Sequence, residues 1–341
     1  MRQQRQPDGT FWLFVILGIL LVLVIAVCVI FQPQATGNGK KPTIQTEDES
    51  EYPEKWQEGV VSYNGKNYIY DHNIKTYLFM GIDKDEPVET AEDYNSGGQS
   101  DAMFLLVCNK EEKTLSVISI NRNTMTRVLT CYANGLETGY TESQICVQHG
   151  FGDGKKLSCS RTVDAVSYLF YNQPINGYMS MNVGAVPMMN DGVGGITLTV
   201  LNDIELKSKD VSLKEGETVT LSGDEAYAYL RSRDVGEFDS ATLRLRRQEQ
   251  YITAYLDKLK ALTISNPMLV MNVYEDIAPY VVSDMSVADV VTELMGYEYS
   301  PDRMYTVPGE TVAGDKFEEF HVDDEALYDL IIRVFYKEVT E

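Results

Sequence analysis

The sequence predicts an α/β fold, a mixed central β-sheet sandwiched by helices and preceded by a single N-terminal transmembrane helix. Three observations lead there. Three strand-like apolar runs follow one another between residues 77 and 120. From residue 161 onward, stretches with apolar residues at helical spacing alternate with short β-like segments. Residues 11–31 form one uncharged run, FWLFVILGILLVLVIAVCVIF.

That run has 21 residues. At about 1.5 Å each they span roughly 31 Å, the thickness of a hydrocarbon core. It is longer than a secretory apolar region and no A-x-A site follows, so it reads as an uncleaved anchor. Arg2, Arg5 and the terminal amine precede it, and acidic residues soon outnumber Lys40 and Lys41 behind it. The positive-inside bias therefore predicts a cell-membrane protein with its N-terminus in the cytoplasm and its domain outside. Residues 1–10 are a cytoplasmic stub, and 32–58, polar and acidic, an extracellular linker. Residues 59–341 form one domain, with a core over 77–262 and a C-terminal extension over 263–341.

Within the domain, Tyr77 to Ile82 and Ala102 to Cys108 are continuously apolar, as in strands covered on both faces. Leu115 to Ile120 is the third strand, joined to the second by a hairpin turn at Asn109–Lys113. Residues 161–172 carry Val163, Val166, Leu169 and Phe170 at helical spacing. Short β segments follow over Gly192–Val200 and Glu215–Leu221, then helices over 223–231 and 242–262. The chain closes with a helix near 286–296, a strand near 304–307 and a helix over 323–337.

Composition excludes several functions. With 29 Lys+Arg against 51 Asp+Glu the net charge is −22, which opposes binding to nucleic acid or to an anionic membrane surface. Five cysteines, three histidines and no CxxC leave little for a zinc cluster. No Walker A loop or GxGxxG is present. Cys108 reads as a small buried hydrophobe, and a Cys146–Cys159 disulfide is the pairing expected among the others.

Against this acidic background, five of twelve arginines fall between residues 231 and 247. Projected at about 100° per residue, Arg244, Arg247, Gln248, Tyr251 and Tyr255 share one helix face. Leu245, Ile252, Leu256 and Leu259 form the neighbouring face, by which the helix can dock on the core, while Arg246, Gln250 and Asp257 point to water. The planar guanidinium fork suits phosphate. A charged surface helix is the plainer reading of the same pattern. Asp83 follows the first strand and Asp101 precedes the second. Antiparallel pairing would place both on one rim, with Arg122 at the end of the third strand beside them. Two carboxylates suit Mg²⁺ sharing phosphate ligands, and with the arginines they make a pyrophosphate site beside apolar surface fit for a lipid tail.

These segments, in this order, resemble the LytR–CpsA–Psr family of cell-envelope proteins. The carriers are Leu78–Asp83 (LFMGID), Gln99–Asp101 (QSD), Val117–Arg122 (VISINR), Asn176–Tyr178 with Asn190–Gly195 (NGY, NDGVGG), Leu221–Ala226 with Tyr229–Arg233 (YLRSR), and Arg244–Gln248 (RLRRQ). The resemblance implies transfer of an anionic glycopolymer, of teichoic acid or capsular type, from undecaprenyl pyrophosphate to peptidoglycan. It implies Mg²⁺ held by Asp83 and Asp101, and pyrophosphate held by Arg122, Arg231, Arg233 and Arg244 with Gln248, to which the helix face adds Arg247. It also implies an apolar tunnel for the polyprenyl chain. Gln99, Asn123 and Ala241 stand where many members carry Arg, Asp and Asp. The last change removes a candidate general base, whose role falls to Asp239 or Asp234, or to the metal alone. Arg122, Arg231, Arg233 and Asp239 are thus the expected catalytic residues. A non-catalytic polyprenyl-pyrophosphate sensor or scaffold is the alternative. A transcriptional regulator conflicts with the predicted topology.

Overall fold

The computed structural model describes residues 60–234, 236–266, 268–286 and 296–339. The predicted stub, anchor and linker, and nearly all of the helix expected near 286–296, lie outside the described residues. Among the described residues no helix is long and apolar enough to cross a membrane.

The elements run β1 (Val60–Tyr63), β2 (Lys66–Tyr70), β3 (Ile74–Ile82), β4 (Ser100–Asn109), β5 (Thr114–Ile120), β6 (Met125–Cys131) and β7 (Glu137–Gln144). Then come α1 (Lys156–Leu169), β8 (Gly177–Asn182), α2 (Val186–Gly192), β9 (Ile196–Thr199), β10 (Ile204–Leu206), β11 (Val211–Leu213) and β12 (Thr218–Leu221). The remainder is α3 (Gly223–Arg231), α4 (Ser240–Ser265), α5 (Leu269–Ile277), β13 (Val281–Ser283), β14 (Glu298–Thr306), β15 (Gly309–Ala313), β16 (Glu318–Val322), α6 (Asp324–Phe335) and β17 (Tyr336–Glu338).

The central sheet has six strands in the order β13-β8-β3-β4-β5-β14. It is mixed: β3 pairs antiparallel with β4 and parallel with β8, and β5 pairs parallel with β14. Alternation along β3–β5 gives the sheet two faces. Leu78, Met80, Ile82, Met103, Leu105, Val107, Ile118 and Ile120 point to one. There they pack against Cys159, Ala165 and Val166 of α1 and Leu327, Leu330, Ile331 and Phe335 of α6. Tyr77, Phe104, Leu106, Leu115 and Val117 point to the other. That face is covered by α4 and its neighbours, which form a cluster with Tyr227, Tyr229 and Tyr251.

Local chemistry sets the elements that reach the site. Ser222 and Glu225 form a capping box that starts α3, fixing Tyr227 and Arg231 four residues apart on one side of it. The NDGVGG stretch is scaffold: buried Asn190 donates to the Leu221 carbonyl (2.8 Å) and accepts from the Tyr251 hydroxyl (3.2 Å), tying β12 to α4. Asn176 likewise receives the Thr76 N–H at 2.8 Å.

Three expectations need correction. Cys108, Cys131, Cys146 and Cys159 are buried thiols outside any disulfide, so the Cys146–Cys159 bond does not form; Cys159 instead faces the Ser180 hydroxyl and the His149 ring. Gln250 does not point to water, since it accepts from Tyr229 Oη (2.6 Å) and donates to the Thr199 carbonyl (2.8 Å). The α4 face carrying Ile252, Leu256 and Leu259 does not close onto the sheet but lines open space above it.

Candidate active site

The space under α4 is a cavity of about 240 Å³ whose walls are almost wholly apolar. Phe79, Phe104 and Leu106 rise from the sheet, Met179, Met181 and Met189 form one side, and Ile252, Tyr255 and Leu259 form the roof. At one end the lining changes to Asp83, Asp101, Arg231, Arg244 and Gln248. A polar end on an apolar cavity is the geometry of an amphiphile site.

The sheet builds that polar end by two local devices. Gly81 pairs with Ala102, and Ile82 pairs with Ser100, so Asp101 is an extra residue bulged out of β4. A bulge at a sheet rim re-aims a side chain, here into the cavity mouth. The Gly81–Ala102 pair beside it keeps the floor low: a Cβ on Gly81 would sit 3.1 Å from the Ala102 Cβ. Gly98, at φ +86°, then turns the chain so that the Gln99 N–H reaches Asp83 Oδ1 at 2.7 Å. Burial drives His149 down to about 4, so its ring is neutral. Its Nδ1 lies 3.1 Å from the Gly97 carbonyl, which only an N–H can satisfy, and this pins the same turn.

Asp101 is the electrostatic centre. Arg244 donates to its Oδ2 at 2.8 Å. Arg122 Nε lies 2.7 Å from its Oδ1, but the N–H is not aimed along that line, so the pair is an ion contact and both atoms lack a hydrogen-bond partner. Burial pushes the Asp101 carboxyl up, yet Arg244 and Arg122 outweigh it and hold the group below the usual carboxylate range. Asp83 goes the other way. Burial raises it, the Gln99 N–H partly opposes that, and the Asp101 charge adds to the rise. Arg244 is 5% exposed, and its second terminal nitrogen has no partner. That is a buried cationic donor left for a ligand anion. Arg122 also donates to Gln99 Oε1 and, at 3.3 Å, to Asn123 Oδ1. Two of the three positions that depart from the family pattern, Gln99 and Asn123, therefore serve as acceptors for Arg122.

Arg231 stands at the mouth and is exposed. It donates to Tyr227 Oη and lies 3.3 Å from Asp85 Oδ2, while Tyr227 donates to Asp85 Oδ1 at 2.6 Å. Sequence reasoning missed Asp85. It lies two residues past Asp83, and no local pattern places it opposite an arginine 146 positions later.

The structure brings Asp83, Asp101, Arg122, Arg231, Arg244 and Gln248 together. It places the other three candidates elsewhere. Arg247 is buried and gives its guanidinium to the Tyr229 carbonyl (2.7 Å), the Ser232 carbonyl and Asn202 (2.8 Å), and burial lowers it to about 10. It locks α4 to the end of α3. Arg233 lines a separate polar cleft with Arg247. Asp239 precedes α4 at φ +61° and turns to the β15–β16 hairpin, accepting from Thr311 Oγ1 at 2.5 Å while its N–H donates to Glu318. It is absent from the cavity lining. Ala241 is buried and carries no acid–base group.

Fold and site together place arginines at the end of an apolar chamber, a division of charge and apolar surface suited to an amphiphilic anion. The LytR_cpsA_psr family model matches residues 28–328, and the chain belongs to that family. It is 29% identical to the polyisoprenyl-teichoic acid–peptidoglycan teichoic acid transferase TagT of Bacillus subtilis, over 67% of this chain and 70% of that protein. It is 30% identical to the TagU transferase of Halalkalibacterium halodurans, where the match spans 50% of each chain. The chain thus spans about half the length of that curated relative. Among solved structures, B. subtilis TagV superposes with a TM-score of 0.59 at 24% identity, covering 77% of this chain and 96% of that one. TagT bound to LI-WTA gives 0.55 at 20% identity, over 77% and 90%. These likenesses carry the fold.

Proposed function

We propose that the protein is a membrane-anchored extracellular phosphotransferase. It moves an anionic glycopolymer, of teichoic acid or capsular type, from undecaprenyl pyrophosphate to peptidoglycan. The observation that carries this reading is the junction of Arg231, Arg244, Gln248, Asp83 and Asp101 with the apolar cavity. A polyprenyl pyrophosphate has the matching division, a long apolar chain on a compact anion. The names of the curated relatives support the same chemistry.

In this reading the cavity walls hold the polyprenyl chain and exclude water from it. Arg244 and Arg122, fixed by Asp101, present preorganised positive charge to the pyrophosphate, and Arg231 leaves Asp85 to close on it. A peptidoglycan hydroxyl attacks the phosphorus bonded to the glycopolymer sugar, and undecaprenyl phosphate leaves with the bridging oxygen's electron pair. The residues fit Mg²⁺. Asp83 and Asp101 lie at the same cavity end, two carboxylates leave coordination positions for phosphate oxygens, and Asp101 Oδ1 would exchange its Arg122 ion contact for the metal. When bound, Mg²⁺ would supply charge neutralisation on the phosphoryl oxygens.

A specific observation favours a second reading, a polyprenyl-pyrophosphate sensor or scaffold without turnover. Asp239 faces the β15–β16 hairpin and Ala241 is apolar, so neither supplies a base at the cavity. The test is a transfer assay on the full chain in detergent, with a short polyprenyl-pyrophosphate glycan, peptidoglycan oligomers and Mg²⁺, read by mass spectrometry. A phosphodiester-linked product that disappears in Arg231→Ala is expected. Metal-dependent lipid binding with no product would replace the transferase with the binding protein.

A further inference from the structure

A second concavity, about 440 Å³, is lined by residues between the end of α3 and the first turns of α4 together with Asn202–Glu205. The junction divides its arginines between the two spaces. Arg231 and Arg244 line the apolar cavity, whereas Arg233 and Arg247 line this cleft. Burial chiefly lowers the Arg244 guanidinium, and the Arg122 and then the Arg233 charges add to that.

The cleft differs in kind from the first cavity. Asn202, Asp203 and Glu205 form one bank, and Ser232, Arg233, Asp234, Glu237 and Ser240 the other. Four carboxylates against two guanidiniums leave it net negative. A polyanion such as the proposed donor polymer is repelled there. A neutral polyhydroxylated chain is not, because its hydroxyls donate to carboxylates and its amide carbonyls accept from a guanidinium. Two groups in the cleft lack partners: Ser232 Oγ is buried with no hydrogen bond, and Arg233 has no ion pair among the described residues. An exposed aromatic follows the lining residue Glu237 in sequence. Phe238, between lining residues Glu237 and Ser240, is 59% exposed, which suits stacking on a sugar face.

We infer that this cleft, lined by Glu205, Ser232, Arg233 and Glu237, binds a neutral N-acetylated glycan chain, with exposed Phe238 next to Glu237 in sequence as its stacking residue, and is the acceptor side of the transfer reaction. The inference rests on the proposed transferase reading for the word acceptor, and on the cleft alone for the glycan. It assigns the two substrates to opposite sides of one arginine wall, the anionic lipid-linked donor to the apolar cavity and the neutral acceptor to the acidic cleft.

The test uses the full chain in detergent and two probes, a β-1,4-linked N-acetylglucosamine tetrasaccharide and farnesyl pyrophosphate with Mg²⁺. Binding of each is measured for the parent, Glu205→Gln and Phe238→Ala, both changes at exposed positions outside the arginine cluster. Saturable tetrasaccharide binding by the parent is expected, weakened by roughly tenfold in each variant as one hydrogen bond or stacking contact is lost. Farnesyl pyrophosphate affinity is expected to stay constant. Parent-like tetrasaccharide binding in both variants, or no saturable binding by the parent, overturns the inference. If the tetrasaccharide behaves as expected but farnesyl pyrophosphate does not bind, the glycan site stands and the donor reading falls.

Discussion

The two faces of the central sheet are made from alternate residues of the same strands, yet one is solid and the other hollow. Leu105 and Leu106 are neighbours in β4. Leu105 is packed among α1, α6 and the sheet, whereas Leu106 borders the apolar cavity. The difference comes from what covers them. On the closed face, α1 and α6 bring Val166, Leu330 and Phe335 down between the strands. On the open face, Gly81 and Ala102 lower the floor, and the aromatic and aliphatic side chains of α4 form a roof that does not meet it. Apolar side chains therefore fill a dense core on one face and leave a cavity on the other.

Several substitutions would break or sharpen this contrast. The largest effect belongs to the open face's polar end. Arg244→Ala removes a buried donor and leaves Asp101 with one cation, so transfer in the assay above is expected to fall by about 10²–10³-fold. Arg231→Ala is expected to cost activity comparably but stability within about 0.5 kcal/mol, because Arg231 is exposed. Next comes packing. Leu105→Ala is expected to cost about 2–5 kcal/mol in urea unfolding, by opening a void in a dense core. Leu106→Ala enlarges an existing cavity and is expected to cost about 1–2 kcal/mol, close to the transfer term alone. Equal costs at the two positions would remove the contrast. A third pair adds bulk instead. Ala102→Leu is expected to lower polyprenyl-pyrophosphate affinity by about tenfold with little loss of stability, whereas Val107→Phe on the closed face is expected to destabilise by about 1–3 kcal/mol.

The smallest effect separates the two aspartates. Asp101 is held low by its arginines, so its stabilisation is present above the ordinary carboxylate range and is lost as pH falls through its folded value. Asp83 is raised by burial, so its charge costs stability at neutral pH, and the cost is relieved as pH falls through its raised value. In chelator, Asp83→Asn is therefore expected to raise the melting temperature at pH 7, with the gain shrinking on acidification, and Asp101→Asn to lower it. The same sign for both would show that the two carboxylates do not occupy the environments described.

The three central strands β3, β4 and β5 were legible because continuous apolar runs flanked by turn residues leave few alternatives, and the antiparallel β3–β4 pair placed Asp83, Asp101 and Arg122 on one rim. Helical spacing likewise located Arg244 and Gln248 beside Tyr251. What failed depended on partners distant in sequence. Arg247 shares the Arg244 face on a wheel, but the carbonyls ending α3 capture it. Asp239 lies near the arginines in sequence, yet β15 and β16 draw it away. The cavity was not assignable because its walls come from β3, β4, β8, α2 and α4, and a hollow leaves no periodic mark. Asp85 carries no pattern at all.

The central claim is that the arginine end and the apolar cavity are one site for one amphiphilic ligand. It is tested most directly by measuring binding of polyprenyl pyrophosphates of increasing chain length to the full protein in Mg²⁺, alongside Arg244→Ala and Ala102→Leu. The account predicts that affinity rises with each added isoprene unit until the cavity is filled, that Arg244→Ala weakens every member of the series, and that Ala102→Leu flattens the rise. Affinity independent of chain length, or a rise unaffected by Ala102→Leu, would contradict it.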